Sequence, residues 1–423
     1  MAGTAVAPAL ARAVAPFVGG ELPVRLRAWD GSEAGPVDAP LVELRSPDAV
    51  RRMLWRPGEL GAAQAYVAGE LEVPGDLDTA LTHAFAVARE RGLDGVRATP
   101  AAVARAVRAA LGVGAIGRPP TAPRTQARLR GRLHTALRDR RAISHHYDLS
   151  NEFYAAILDP AMAYSCAYYT TDDMTLADAQ AAKLDLVCRK LGLEPGMRML
   201  DVGCGWGSLS LHAAEHFGAQ VVGVTISAEQ KAFIEQRIAD RGLADRVEVR
   251  LQDYREVPDD GFDAVGSLEM GEHVGERNYP TYVEVLRRAV RPGGRVLVQQ
   301  MSRPGPKGGR HPGGGPFIES FIAPDMHMRP VGETIAHLER GGLEVRDVHA
   351  LREHYVRTVA GWLERFEGNR EWLTALVGEE VVRVWRLYLV GGAMAFRDGR
   401  MGVDQILMVR PDGSHSLPWR RTW

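Results

Sequence analysis

The sequence predicts an α/β protein, in which a doubly wound parallel sheet follows a small α+β domain. Three observations support this fold class. An apolar run that ends at Asp201 is followed by three alternate glycines and then by apolar residues at helical spacing, which is typical of a strand, a tight turn and a helix. Strand-like and helix-like segments alternate from residue 144 to residue 302. The first 93 residues instead hold short alternating strands and helical segments.

The glycine turn is the feature around which the rest can be placed. Gly203, Gly205 and Gly207 lack a Cβ, so backbone N–H groups at the start of a helix can approach a ligand closely. A plain tight turn between strand and helix shows the same pattern, and a dinucleotide fingerprint would place its third glycine one residue later. Alone, the turn predicts a nucleotide-like ligand only weakly.

The segments after the turn complete the predicted sheet. Four further strands are expected, at residues 220–225, 247–251, 262–268 and 295–300, with a helix at 228–241. Ligands of such sheets bind beyond the carboxyl ends of the strands, where the strand order reverses. The side chains expected at that edge are Asp201, Thr225, Asp253 and those of residues 269–272.

Three domains are predicted: a small α+β domain over residues 1–93, a basic linker over 94–143 and a catalytic domain over 144–423. Residues 97–141 contain eleven arginines and one acidic residue, Asp139. Both a solvated connector and a surface for anionic lipid headgroups fit this composition, since a basic residue near a membrane contributes about 1 kcal/mol. Nucleic acid fits less well, because the stretch has no aromatic residue to stack on bases.

Overall composition is that of an ordinary globular protein, 45% hydrophobic and 25% charged with a net charge of −1, so no general attraction to polyanions is expected. The three cysteines, Cys166, Cys188 and Cys204, lack metal-ligand spacing, which favours a reducing compartment and no metal site. No signal peptide and no apolar window of membrane-spanning length is found. We therefore expect a cytoplasmic protein whose membrane contact is peripheral, on the inner face.

Six ordered stretches carry a family resemblance: HYDLSNEFY at 146–154, YSCAYY at 164–169, DVGCGWG at 201–207, GVTISAEQ at 223–230, EHVGERNY at 272–279, and residues 355–366. Through them the chain from Ser144 onward resembles the S-adenosylmethionine-dependent methyltransferases of the cyclopropane-fatty-acyl-phospholipid synthase family, which includes the mycolic acid cyclopropane synthases. The resemblance implies a Rossmann-like methyltransferase sheet with a helical cover over a lipid pocket. The N-terminal unit is similar to the domain that precedes the catalytic one in phospholipid-acting bacterial members.

The resemblance also implies which residues bind S-adenosylmethionine: Tyr164, Ser165, Asp201, Gly203, Gly205, Gly207, Thr225, Gln230, Asp253 and Tyr254. Most Rossmann-like methyltransferases end the second strand with an acidic residue for the ribose hydroxyls. This sequence has Thr225 there, and the family uses the glutamine five residues later, here Gln230. A hydroxyl and an amide can still bond a ribose diol.

The implied reaction adds a methyl group to an alkene and leaves a carbocation. Aromatic faces stabilise such a cation, and the pocket residues expected to do so are Tyr168, Tyr169, Tyr279 and Trp362. Any one of these rings could equally be a core residue. In the family a bicarbonate ion serves as the base, held by a cysteine, a glutamate, a histidine and a tyrosine.

The predicted catalytic set departs from the family at one position. Cys166, Glu272 and Tyr355 match, but Gln300 stands where the family has histidine. Gly392 also stands where relatives often have a cysteine. Glutamine is neither a cation nor a useful base near neutral pH, so bicarbonate binding is expected to weaken and deprotonation to slow.

Slower deprotonation gives the cation time for a hydride shift, after which loss of a methyl proton leaves an exocyclic methylene. We therefore expect the branch of the family that makes 10-methylene acyl chains from oleoyl-like lipids. A methylene product would need a separate reductase to become a methyl branch, the anionic membrane surface is the expected partner of the arginine-rich linker, and a homodimer is left open. Other hypotheses are a cyclopropane synthase, an amine N-methyltransferase using Glu272, and a non-catalytic lipid-binding protein. A nucleic-acid methyltransferase is disfavoured, because no N-P-P-Y-type base pocket is found.

Overall fold

The computed structural model describes residues 5–93, 99–127, 149–305, 313–413, 415–421 and 423. They belong to two compact units. The first unit contains Met1–Gln126 and Val377–Met394, and the second contains Ala127–Leu376 and Ala395–Trp423. Two sequence predictions fall outside the described residues: the second part of the basic linker and the first three residues of the HYDLSNEFY stretch.

The first unit is α+β, as predicted. Its four-stranded sheet has the order β2-β1-β3-β4, formed by β1 (Arg25–Arg27), β2 (Glu33–Ala34), β3 (Leu41–Leu44) and β4 (Leu71–Glu72). The helices before residue 113 are α1 (Val6–Val14), α2 (Pro47–Trp55), α3 (Glu59–Val67), α4 (Leu77–Glu90) and α5 (Pro100–Gly112).

The structure divides the chain differently from the predicted boundaries, because α5 is part of the first unit rather than of a linker. Ala110 of α5 is buried in one core cluster with Val6, Ala7 and Leu10 of α1. Two of the arginines that suggested a linker, Arg105 and Arg108, are exposed on the same helix. Residues 377–394 also belong to this unit, where Arg383 donates to the carbonyl oxygen of Tyr66 and to the carboxylate of Glu72.

The second unit contains a seven-stranded sheet of order β10-β11-β9-β8-β5-β6-β7. Its strands are β5 (Arg198–Val202), β6 (Gln220–Thr225), β7 (Val247–Leu251), β8 (Phe262–Leu268), β9 (Val290–Ser302), β10 (Glu344–Ala350) and β11 (Gly402–Val409). Strands β5 to β9 are parallel to their neighbours within this group, and β11 pairs antiparallel with both β9 and β10. The predicted doubly wound sheet is confirmed.

Helices cover both faces of this sheet. They are α6 (Asn151–Ile157), α7 (Leu176–Leu191), α8 (Ser208–Phe217), α9 (Ala228–Asp240), α10 (Gly271–Val274), α11 (Tyr279–Ala289), α12 (Pro316–Phe321), α13 (Val331–Arg340), α14 (Arg352–Gly368) and α15 (Arg370–Val377), and α16 (Glu379–Arg397) follows. Successive strand residues point to opposite faces. Met199 therefore joins one core cluster with Leu184 of α7, while Leu200 joins the other with Val283 of α11.

Strands β10 and β11 were not among the predicted strands, which end at residue 300. Strand β11 is buried along almost its whole length, and a short continuous apolar run cannot be distinguished from a buried helix by periodicity. The topological switch that positions the site lies between β6 and β8. Strand β5 has β6 on one side and β8 on the other, so a crevice opens beyond its carboxyl end.

Candidate active site

A cavity opens where the sheet predicts a ligand, beyond the carboxyl ends of β5, β6, β7 and β8. Six of the predicted cofactor residues line it: Gly203, Gly205, Thr225, Gln230, Asp253 and Tyr254. Glu269, Met270 and His273 form another part of its wall. The structure therefore brings together residues from three stretches, 203–205, 225–230 and 253–254, that were predicted to bind one ligand.

The glycine turn has the backbone that the pattern requires. Gly203, Gly205 and Gly207 have φ values of +79°, +54° and +81°, in the left-handed region that favours glycine. A Cβ on Gly203 would lie 2.8 Å from Cγ of Met270, and one on Gly207 would lie 3.0 Å from Cγ2 of Ile234. Helix α8 starts directly after the turn, so its first N–H groups have no partner within the helix.

Thr225 and Gln230 form a preorganised pair at the end of β6. The Thr225 hydroxyl donates to Oε1 of Gln230 at 2.8 Å, and both side chains are buried. Ser227 caps α9 by accepting from the backbone N–H of Gln230. Because Oε1 is engaged, the amide NH₂ group of Gln230 remains as the donor for a ligand oxygen.

Other predicted cofactor residues are bonded within the protein. The Asp253 carboxylate accepts from Arg255, at 2.6 Å for Nη2. Asp201 is buried and accepts from the Ser210 hydroxyl at 2.7 Å, and burial raises the pKa of its carboxyl to about 6. Tyr164, Ser165, Asp201 and Gly207 are not on the cavity wall, and Tyr164 packs with its ring centroid 5.2 Å from that of Trp362.

Glu269 is a candidate site residue that the sequence did not single out. It follows β8 with a φ of +50°, a strained conformation for a residue with a side chain. Its Oε1 accepts from the Cys166 backbone N–H and from Nε2 of Gln299, each at 2.7 Å, and its Oε2 accepts from the Tyr355 hydroxyl at 2.5 Å. Two of the residues expected to hold bicarbonate thus bind this carboxylate. The signal in the sequence was only its place at the strand end, which Glu272 shares.

Glu272 lies in α10, three residues further on, and is completely buried. Among the described residues neither of its carboxyl oxygens has a hydrogen-bond partner. Burial, followed by the nearby Glu269 carboxylate, raises the pKa of Glu272 well above its ordinary value. The charged form of Glu272 is therefore disfavoured, since an unpaired buried carboxylate would cost several kcal/mol, whereas Glu269 has three hydrogen bonds to its carboxylate.

Gln300 does not join Cys166 and Tyr355. Its Oε1 accepts from the Tyr279 hydroxyl at 2.6 Å, and its side chain packs so closely on Gly271 that a Cβ there would lie 2.1 Å from Oε1. The Tyr279 ring in turn packs against the buried guanidinium of Arg329, with Cζ 3.9 Å from the ring centroid. Gln300 therefore belongs to a second layer behind the carboxylates.

The four predicted pocket aromatics separate into two groups. Trp362 lies with its ring centroid 5.9 Å from that of Tyr355, next to Glu269, and Tyr279 lies in the layer behind. Tyr168 and Tyr169 are half-buried and contact His354 instead, at 4.8 and 6.5 Å between ring centroids. Of the four, Trp362 has the best position to face a cation formed beside Glu269.

Lys183 supplies a positive charge near the Glu269 carboxylate. It is completely buried in α7, and its Nζ donates to the Ser165 hydroxyl at 2.8 Å. Burial lowers the pKa of Lys183, and the acidic groups nearby that oppose this are, in decreasing order, Glu269, Asp159, Cys166 and Asp201. Burial raises the pKa of Glu269, while its bonds from Tyr355, Cys166 and Gln299 and the charge of Lys183 lower it.

Replacing Lys183 by methionine is expected to move the acid limb of the pH profile to higher pH. Loss of the ammonium group raises the pKa of Glu269 further, so a larger fraction of Glu269 is protonated at any given acidic pH. Activity should recover toward that of the wild type at alkaline pH. The measurement is kcat/KM against pH for Lys183→Met, Lys183→Arg and the control Lys231→Met, whose partly exposed side chain lies in α9. A uniform loss without a shifted limb would show that Lys183 only supports the fold.

Within the described part of the chain no helix is long and apolar enough to cross a membrane. No group of three or more possible metal ligands occurs there either.

Comparison with known proteins gives a consistent result. The family model for mycolic acid cyclopropane synthetase matches residues 134–406. A probable fatty acid methyltransferase of Pseudomonas putida is 39% identical over 95% of this chain and 95% of its own. The tuberculostearic acid methyltransferase of Mycobacterium tuberculosis is 36% identical over 92% of this chain and 88% of its own. The solved structure of mycolic acid cyclopropane synthase CmaA1 with SAH and CTAB covers 64% of this chain and 98% of that one, with a TM-score of 0.60 and 34% identity.

Proposed function

Because this chain belongs to the mycolic acid cyclopropane synthetase family of S-adenosylmethionine-dependent methyltransferases, which act on lipid acyl chains, we propose that it methylates the double bond of an oleoyl-like phospholipid chain. The proposed product is a 10-methylene acyl chain. The observation that carries the proposal is the Glu269 carboxylate, held by Cys166 and Tyr355 at the wall of the cofactor cavity.

The cavity fits the cofactor by its chemistry. The left-handed glycines leave the wall without side chains, and the Thr225–Gln230 pair offers a fixed amide donor for a ribose oxygen. When bound there, S-adenosylmethionine supplies an electrophilic methyl group to the alkene. Every other group that the reaction requires is provided by side chains of the second unit.

One alkene carbon forms the new bond to the methyl group with the π electrons. The other alkene carbon becomes a carbocation. The π faces of Trp362 and Tyr355 stabilise that charge, and burial of the site keeps water from adding to it. A hydride then moves from the methyl-bearing carbon to the cationic carbon. The positive charge then lies on the methyl-bearing carbon. Glu269 takes a proton from that methyl group, and the electron pair of the broken C–H bond forms the exocyclic double bond. Proton loss before the hydride shift would instead close a cyclopropane ring.

Glu269 also makes a bicarbonate ion unnecessary in this proposal. The Cys166 N–H and the Tyr355 hydroxyl, which were expected to hold that ion, already bind a carboxylate of the chain itself. Replacement of the family histidine by Gln300 then has a simple reason, since no anion has to be retained there.

The relatives favour a methyl-branch product over a ring. Two relatives matched over 95% and 96% of this chain are named probable fatty acid methyltransferases, and one matched over 92% is named a tuberculostearic acid methyltransferase. Cyclopropane mycolic acid synthase 3 of Mycobacterium tuberculosis covers 62% of the chain. A reductase that acts on the methylene product and a homodimer stay predictions.

The product decides this proposal. A host that expresses the chain and is fed oleate should accumulate a methylene-branched chain one carbon heavier, with no equivalent in a host expressing Glu269→Gln. Mass spectrometry of the fatty acid methyl esters before and after ozonolysis separates the isomers, because ozone cleaves the methylene and leaves the ring intact. Ring product alone would end the methylene proposal and make the chain a cyclopropane synthase.

A further inference from the structure

Helix α5 carries an apolar stripe on its outer side. Val103, Val107 and Leu111 are spaced four residues apart, so they follow one another along the same side of the helix. They are 45%, 39% and 60% exposed. Aliphatic side chains in such a row are costly to leave in water, and an isolated row of this kind marks an interaction surface.

The adjoining side of α5 already forms the core contact of this helix. Ala102 and Ala110 are buried, and Ala110 packs in the cluster that contains Val6 and Leu10 of α1. The stripe is therefore not needed to hold the helix in the first unit. Its larger side chains are on the side that faces solvent, the reverse of what packing alone would select.

The segment that carries the stripe has only basic charged residues. Residues 99–127 contain four arginines, Arg105, Arg108, Arg118 and Arg124, and no acidic residue. All four are exposed. An apolar row in a segment whose charged side chains are all arginine is complementary to an anionic interface, because arginine pairs with phosphate while the aliphatic groups enter the acyl region.

The loop after α5 extends the same composition. Ile116 is 42% exposed and Trp55 is 55% exposed, and Nε1 of Trp55 donates to the carbonyl oxygen of Gly117 at 3.0 Å. Indole rings concentrate at the level of lipid headgroups, where one part is apolar and the N–H is hydrogen-bonded.

We propose that α5 and its following loop form a docking surface for an anionic phospholipid bilayer, with the Val103–Val107–Leu111 row among the acyl chains and the arginines at the phosphates. This rests on the proposed function to the extent that the acyl substrates lie in a membrane. The sequence predicted a basic linker over this segment, whereas the proposed docking surface is a helix. The contact is interfacial, with the helix lying on the bilayer.

Two double variants of the full-length chain test the surface. Val107→Gln with Leu111→Gln removes the row using a good helix former, and Arg105→Gln with Arg108→Gln removes two charges. The matched control is Val37→Gln, an apolar residue that is 74% exposed in a loop of the same unit. Circular dichroism, melting temperature and S-adenosylmethionine affinity should be unchanged in all three.

Cosedimentation with phosphatidylglycerol–phosphatidylcholine vesicles is the measurement. The arginine variant should bind roughly 20-fold more weakly at low salt, with a smaller difference at high salt, because each basic residue near the surface acts electrostatically. The glutamine pair in the row should weaken binding at both salt concentrations. Wild-type binding that neither variant weakens would overturn the proposal. So would a wild-type dimer in sedimentation velocity that the row variant makes monomeric, since the row would then be covered by a second copy.

Turnover separates this inference from the function itself. On substrate lipid dispersed in detergent micelles, the docking variants should match the wild type, and on vesicles they should be slower. A wild type that is inactive on both substrates would count against the proposed function and leave the vesicle-binding result to stand. Docking variants slowed equally on micelles and on vesicles would contradict the docking surface.

Discussion

Glu269→Gln is expected to lower turnover by roughly 10²- to 10⁴-fold, the usual contribution of a positioned general base, with S-adenosylmethionine affinity unchanged. The amide is nearly the same size as the carboxylate. Its oxygen can still accept from the Cys166 N–H, while its NH₂ group can donate to the Tyr355 hydroxyl oxygen. What it cannot do is take a proton from the methylated acyl chain. Radiolabelled methyl transfer to lipid measures turnover, and isothermal titration measures cofactor affinity.

The neighbouring carboxyl group provides the matched comparison. Glu272→Gln changes a fully buried acid in the same way, but none of the described residues hydrogen-bonds to that carboxyl, and burial raises its pKa well above the ordinary value. We therefore expect it to lose less turnover than Glu269→Gln. The reverse order would place the base at Glu272, the residue that the sequence alone singled out.

Chemical rescue separates a lost base from a disturbed fold. Glu269→Gly would leave a space beside the Cys166 N–H and the Tyr355 hydroxyl that a bicarbonate or formate ion can fill. Added bicarbonate should restore part of the activity of this variant and have no effect on the wild type. A wild type that depends on bicarbonate would contradict the assignment of Glu269 as its replacement.

The comparison between Glu269 and Glu272 shows what the sequence could predict. The parallel strands, the glycine turn and the edge at which residues 269–272 lie were all predictable, because each depends on local periodicity or on the rule for strand ends. Which of two glutamates three residues apart meets Cys166 and Tyr355 depends on side-chain direction. That direction is set by the left-handed φ of Glu269 and by contacts across more than 80 residues.

Helix α5 and strand β11 were missed for a related reason. The eleven arginines of residues 97–141 correctly indicate a basic segment. Charge alone gives no sign of the alanine that packs α5 into the first unit. In β11 the run from Val403 to Val409 is buried between β9 and β10, and only this pairing identifies it as a strand. Both features depend on partners that are distant in the sequence.

Gly205→Val is expected to weaken S-adenosylmethionine binding by at least about 100-fold, since the side chain would occupy the ligand's space. Gly205 lines the cavity, and no atom lies within 4 Å of the place where its Cβ would be, so a branched side chain would project into open space that the cofactor requires. Its φ of +54° adds backbone strain of about 1–2 kcal/mol for a residue with a Cβ. Cofactor affinity by titration and melting temperature without ligand are the two measurements.

Gly196→Val separates the two causes. Gly196 has a φ of +82° and equally open surroundings, but it precedes β5 and so lies at the opposite end of that strand from the cavity. Both variants should lose similar thermal stability through strain, and only Gly205→Val should lose cofactor affinity. If Gly205→Val bound S-adenosylmethionine like the wild type, the turn could not be the cofactor loop, and the methyl group would have to reach Glu269 from another side of the cavity. If both variants lost affinity together, strain and not filled space would be the cause.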